Sequence, residues 1–516
     1  MTKTNLIGIL VSIAILTSIL AFSPARFAIE HAGFDADTLA RTKVSFEKQV
    51  ADGMLTDMQR ISFPNTFNAV EGVTTFRGGP YRDKPSHGIL ESRPKTLAIK
   101  WSFATTFDKS WGGGAGWTGQ PLVVKWPDST RSKMNLYPSA KAKSSLVEVI
   151  IGSLDGKIYF IDLETGKATR PPINIQNPIK GTLSIDPRGW PLLYAGQGIS
   201  NTGEFGIRIF SLIDQKKLYF LNGRDPFAYR AWSAFDSSPL IHPQSDYMFV
   251  GGENGIVYSL NLNSSWKAGV PTVSPEVSRY RYKANPNQNQ GVESSLAAWK
   301  DRLFFCDNNG YVQCISIKNF EPLWVTQNPD DSDATLVLEE EASGAVLYTG
   351  NEVDLQGARG FAYVRKLNGL TGQTLWEQKF DCHTIRGSHP LNGGMLSTPV
   401  LGKQKGKGLA VFCLSRYKEM SKGLLVALDK TTGVKVWETK VDHYAWSSPI
   451  DIYDKEGNMY IFLADAGGDV MLYDGSTGAL IYKMKVVDLF EASPVAFGNK
   501  IVIPSRPRDI FCLEVQ

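Results

Sequence analysis

The segment Val426-Ala427-Leu428-Asp429-Lys430-Thr431-Thr432-Gly433-Val434-Lys435-Val436-Trp437 recurs in degraded copies along most of the chain. Repetition constrains the fold before any single residue does, because each copy is one structural unit packed on its neighbours. Asp474, Thr477 and Gly478 repeat the core with Tyr482 in place of Trp437, and Asp162, Thr165 and Gly166 repeat it near the start. Asn368, Thr371, Gly372 and Trp376 form a copy that keeps the aromatic residue. The apolar run from Gly423 to Leu428 reads as a buried strand. Asp429 is suited to fold its carboxylate onto the amides of the next turn, and Gly433 to take a positive φ. The returning strand then delivers Trp437 into the wedge between two sheets.

A second signal precedes each copy. Ser238-Pro239, Thr398-Pro399, Ser448-Pro449 and Ser493-Pro494 each open an apolar stretch. Gln120-Pro121, Thr182-Leu183, Ser295-Leu296 and Thr335-Leu336 are degenerate versions, which makes eight. Between the two signals lie tight hairpins with glycine at their ends, at Gly156, Gly255, Gly310 and Gly468. The unit is therefore a four-stranded antiparallel sheet. Eight such sheets arranged radially over residues 96–516 make an all-β, eight-bladed β-propeller. The last blade, from Ser493 onward, is one strand short. Leu97 to Phe103, a tryptophan-bearing strand with nothing before it, is predicted to complete that blade and close the ring. Trp101, Trp324, Trp376 and Trp437 are expected to be structural docking residues.

The pattern Ala427-x-Asp429-x-x-Thr432-Gly433-x-x-x-Trp437 resembles the tryptophan-docking repeat of the pyrroloquinoline-quinone-like β-propellers, and Phe76-Arg77-Gly78-Gly79-Pro80 resembles the segment that often introduces them. The resemblance covers roughly four-fifths of the chain. It implies the propeller fold and leaves activity open, since that family holds both quinoprotein alcohol dehydrogenases and scaffolds such as the lipoprotein of the outer-membrane β-barrel assembly machinery. The dehydrogenases carry adjacent cysteines joined over the cofactor and hold calcium through Glu, Asn and Asp. Here Cys306, Cys314, Cys382, Cys413 and Cys512 are nowhere adjacent.

The amino terminus is a targeting element. Leu6 to Phe22 is a run of apolar and small residues behind one lysine, so residues 1–25 read as a signal-anchor transmembrane helix or as a cleaved signal peptide. Either way the propeller is exported: anchored with the propeller outside the cytoplasm, periplasmic or extracellular, or secreted after cleavage. The spacing of Leu39, Val44, Phe46, Val50, Met54 and Met58 predicts one amphipathic helix from Asp35 to about Gln59, so residues 26–95 read as a juxtamembrane helix and linker. A net charge of +4 over 516 residues, with no basic stripe, argues against a nucleic-acid partner.

If the eight openings are equivalent, the residue three positions before each proline-like position lies at the same place in every blade. Those residues are Thr118, Lys180, Asp236, Glu293, Asp333, Leu396, Trp446 and Glu491, and they are predicted to ring the channel mouth. Lys180, Asp236, Glu293, Asp333, Trp446 and Glu491 are the binding candidates among them. Trp111, Trp117, Tyr229, Trp232 and Tyr444 make the loops feeding that face aromatic, which suits sugar rings, a flat cofactor or a protein partner. No residue is assigned a catalytic role or a metal. The chain therefore reads as an exported or membrane-tethered binding or assembly scaffold at the bacterial cell envelope, taking an envelope protein or polysaccharide and no cofactor. The alternatives are a pyrroloquinoline-quinone- and calcium-dependent dehydrogenase and an envelope polysaccharide-binding module.

Overall fold

A computed structural model describes residues 27–33 (backbone only), 44–64, 66–107, 114–199, 203–283, 290–387 and 390–516. Eight antiparallel sheets follow one another along the chain and form the expected propeller. Blades 1 to 7 run over residues 122–174, 184–222, 240–283, 297–327, 337–383, 400–441 and 450–485. Blade 8 is completed across the termini. Val495–Phe497, Lys500–Pro504 and Asp509–Val515 take Leu97–Ala104 as their outer strand, in a register running from Asp509 opposite Ala104 to Val515 opposite Leu97.

The repeat acts between blades. Trp101 of blade 8 lies over Gly166 of blade 1, and Trp324, Trp376 and Trp437 lie over Gly372, Gly433 and Gly478 of the blades that follow theirs. Each indole N–H donates to a backbone carbonyl of that next blade: Leu163, Gly369, Lys430 and Gly475, at 2.8–3.1 Å. Glycine is required twice over. Gly433 has φ 71°, and a Cβ there would fall 2.7 Å from the Trp376 ring. Asp429 Oδ1 accepts the amides of Thr431 and Thr432 at 3.0 and 2.8 Å, which holds the turn in place.

The Ser/Thr openings form the hub. The amide of Gln120 donates to the Thr182 hydroxyl, and the same bond joins Ser238 to Ser295, Ser295 to Thr335, Thr398 to Ser448, and Ser448 to Ser493, at 2.7–3.2 Å. A hydroxyl is needed at this position because it satisfies the neighbouring blade's innermost amide, which has no strand beyond it to pair with.

The segment before the ring differs from the expected helix and linker. Ser45–Ala51 is a strand, paired with the outer strand Glu276–Lys283 of blade 3, and Phe27–Gly33 pairs outside it. Only Met54–Met58 is helical. Inward positions alternate as Phe46, Lys48 and Val50, and Lys48 hides the period: it is buried, bonded to Glu321 at 2.8 Å and to the Asn319 carbonyl at 3.1 Å. With a lysine on the inner face, the remaining apolar positions imitate helical spacing. Met54, Met58, Ile61 and Phe63 join the core of blades 3 and 4.

Residues 72–84 are likewise no linker. They plug the channel. The Arg77 guanidinium donates to the carbonyls of Pro449, Pro399 and Arg82, and the Arg82 guanidinium to those of Leu296, Phe76 and Ser238 and to the Thr75 hydroxyl, at 2.8–3.3 Å. Most of these acceptors belong to the eight openings, so two arginines tie blades 3, 4, 6 and 7 to one central segment. Burial lowers both, Arg82 to about 9, which still leaves them charged at neutral pH.

Among the described residues no helix is long and apolar enough to cross a membrane, and the segment predicted to be a membrane or signal helix lies outside them. All five cysteines are buried and free.

Candidate functional site

The plug turns one mouth of the channel into a blind cup of about 180 Å³. Phe76 lines its floor, and its wall includes seven of the eight positions predicted from the openings: Thr118, Lys180, Asp236, Glu293, Asp333, Leu396 and Trp446. The equivalence of the blades places them there, because each side chain leaves its strand just before the hub. The eighth, Glu491, does not reach the cup. Arg506, in the turn between the last two strands, holds it at 3.1 Å, and its pKa is raised by burial.

Of the aromatic candidates, Trp117 and Trp446 line the cup and meet edge to face with centroids 6.1 Å apart. Trp232 is partly exposed and donates its indole N–H to Glu253 at 2.5 Å. Tyr229 bonds Glu47 of the added strand at 2.5 Å, with Arg281 3.9 Å over its ring. Tyr444 lies under Arg416, also at 3.9 Å. Both of these rings pack against an arginine. Trp111 lies outside the described residues.

Further groups complete the site. Glu352 and Asn392 line the cup. They come from the segments around Glu352–Val353 and Gly393–Gly394, which pair with each other beside blades 5 and 6. Glu253 brings a carboxylate oxygen within 4.8 Å of those of Asp236 and Glu293. Glu253 sits in the Glu253-Asn254-Gly255 hairpin, which the sequence marks only as a turn. Its signal was an acidic residue at the turn position that blade 4 fills with Asn308.

The electrostatics are lopsided. Lys180 forms an ion pair with Asp236 and is the one cationic residue lining the cup among those described. Burial works to lower Lys180, yet Asp236, Glu253 and Glu293 together hold it above its ordinary value. Burial pushes Asp236 up to about 6 against the pull of Lys180. Burial, reinforced by neighbouring carboxylates, raises Glu253, Asp331, Asp333 and Glu352 well above the usual range. The carboxyl groups of Asp331 and Asp333 face each other, while among the described residues one oxygen each of Asp236, Glu253 and Glu352 is buried without a hydrogen-bond partner. Such orphans are rare in folded proteins.

Fold and site together define a closed, plugged β-propeller with an acidic blind cup at one mouth. Residues 421–509 match the family described as Outer membrane protein assembly factor BamB. BamB from Moraxella catarrhalis, 13% identical, aligns over 81% of this chain and 98% of its own with a TM-score of 0.50. A europium-containing methanol dehydrogenase (13% identity, 86% and 98% covered, TM-score 0.45) and the quinohemoprotein alcohol dehydrogenase from Comamonas testosteroni (11%, 89% and 83%, 0.46) are also similar. No curated protein sequence matches. The chain folds as a β-propeller, and its residues 421–509 resemble the pyrroloquinoline-quinone-like repeat family.

Proposed function

We propose that this chain is an exported or membrane-tethered binding and assembly scaffold of the bacterial cell envelope that holds its ligand at the channel mouth. One observation carries the reading: the mouth is a blind cup whose buried carboxylate oxygens include several with no donor among the described residues. Each unmade bond costs about 1–3 kcal/mol, and a ligand that supplies donors relieves it. The likeness of residues 421–509 to an outer membrane protein assembly factor supports a protein partner. The apolar run from Leu6 to Phe22 supports export. A photo-crosslinking amino acid at position 391, beside the cup residue Asn392, tests this in intact cells. The expected result is a discrete adduct in the envelope fraction that disappears when Trp117→Ala or Asp333→Asn is added. An adduct indifferent to both changes would remove the cup from the binding site.

A second reading, a quinone- and calcium-dependent dehydrogenase, draws on the trio Asp236, Glu253 and Glu293, whose convergent oxygens suit a hard cation. The quinone half fits poorly. A cup of about 180 Å³ is smaller than the roughly 300 Å³ at which sites for small organic molecules begin, and Phe76 closes it from below. No reaction step is assigned to it. Thermal shift and dye reduction with added pyrroloquinoline quinone and calcium are expected to show neither stabilisation nor turnover.

A further inference from the structure

We infer that the cup is a socket for one basic side chain, a lysine or arginine carried by a polypeptide partner and flanked there by apolar residues. This rests on the cup being the ligand site of a binding module, and it names the chemistry of the ligand.

Charge comes first. Asp236, Glu293, Asp333 and Glu352 face the cup, and Lys180, the lining cation, is already engaged with Asp236. The side chains of Glu352 and Glu253 are independent evidence that something from outside belongs here. They are 1% and 2% exposed, and each keeps one oxygen without a partner among the described residues. Glu352 lines the cup, and the Glu253 carboxylate lies with those of Asp236 and Glu293 inside a 4.8 Å circle. An ammonium brings three N–H donors and a guanidinium five, enough to meet several of these oxygens at once.

Size and surroundings favour a side chain over a bare ion. About 180 Å³ holds a long side chain and far exceeds what a single cation fills. The wall includes Trp117, whose ring already has the Arg506 guanidinium 4.4 Å and the Lys180 ammonium 5.1 Å from its centroid, so this indole takes cations on its faces. Exposed apolar side chains stand near cup residues in the sequence. Leu355 and Leu391, 51% and 43% exposed, stand in the chain beside the cup residues Glu352 and Asn392, and Trp232 is tied to Glu253. A metal ion makes no use of exposed apolar side chains, whereas apolar residues flanking a basic side chain would pack on them.

The test uses the full-length chain and end-capped pentapeptides of sequence Ala-Leu-X-Leu-Ala, where X is arginine, lysine, citrulline or norleucine. Binding is read by calorimetry and by the fluorescence of the cup tryptophans. The arginine and lysine peptides are expected to saturate, with citrulline and norleucine weaker by about tenfold or more. Asp333→Asn and Glu352→Gln are each expected to weaken the arginine peptide by about tenfold while leaving the unfolding transition cooperative. Equal binding of the norleucine peptide, or none of the arginine peptide, overturns the socket. So does saturable binding of calcium alone that the arginine peptide fails to displace. If the envelope adduct depends on the cup but the arginine peptide does not bind, the scaffold reading stands and the socket falls. If the adduct ignores the cup while the peptide binds as expected, the reverse holds.

Discussion

At the floor of the channel Arg77 and Arg82 are almost completely buried, and their guanidiniums are bonded to backbone carbonyls and a hydroxyl. At the mouth Glu352 and Glu253 are buried to the same degree, and each leaves an oxygen without a donor among the described residues. One end uses buried charge to hold blades together; the other carries buried charge at a standing cost. The difference separates architecture from binding. A desolvated group that is fully bonded within the chain explains itself, whereas one left unbonded points to a donor supplied from outside.

The contrast breaks most violently if the floor is removed. Deleting everything up to Thr105 takes away the plug and the outer strand of blade 8 together, leaving the hub carbonyls unpaired and two sheet edges open. The expected product has no cooperative unfolding transition by circular dichroism. A truncated chain that still melts sharply would show that the plug decorates a ring already closed by other contacts.

Next in size are single changes in the architecture. Arg82→Ala strands the acceptors of Leu296, Phe76 and Ser238 and is expected to cost about 3–5 kcal/mol in urea unfolding. Trp437→Ala is expected to cost the same, about 3–5 kcal/mol, because the indole both packs on Gly478 and bonds the Gly475 carbonyl. Trp437 lies away from the cup, so peptide affinity per folded molecule is expected to hold in Trp437→Ala. A loss below about 1 kcal/mol for Arg82→Ala would mean that the floor tolerates unmet groups as the mouth does, and the distinction would fail.

The two ends were unequally legible in the sequence. The mouth could be counted, because the openings recur and a fixed offset from each one names seven of the lining positions. Glu491 escaped the rule through Arg506, an ion-pair partner that no periodicity announces. Glu253 and Glu352 were hidden because they come from a turn and from a segment inserted beside the repeat. The floor was opaque for another reason. Arg77 and Arg82 look like surface residues, and their partners are carbonyls as far as 372 positions away, which carry no side-chain signature. The strand at Ser45–Ala51 was concealed by one buried lysine.

The smallest expected effect is the most discriminating. Glu352→Gln keeps the shape of the side chain and removes its charge. Burial first, and then Asp333, raises the Glu352 pKa in the folded chain well above its unfolded value. A group shifted that way favours folding while it is protonated, below the unfolded value of roughly 4.3, and loses that contribution as pH rises through its folded pKa. Asp236, pushed up to about 6, loses its share in the same direction. The wild-type chain is thus expected to lose stability from pH 5 to pH 8, and Glu352→Gln to lose less. At pH 8 the variant is expected to be more stable by about 1 kcal/mol, with little difference at pH 5, as read from urea midpoints at the two pH values. A gain in stability with a loss of peptide affinity is the signature of a group kept for its ligand. If Glu352→Gln instead destabilises at both pH values, as a change at the floor does, then Glu352 is bonded architecture and the two ends of the channel are alike.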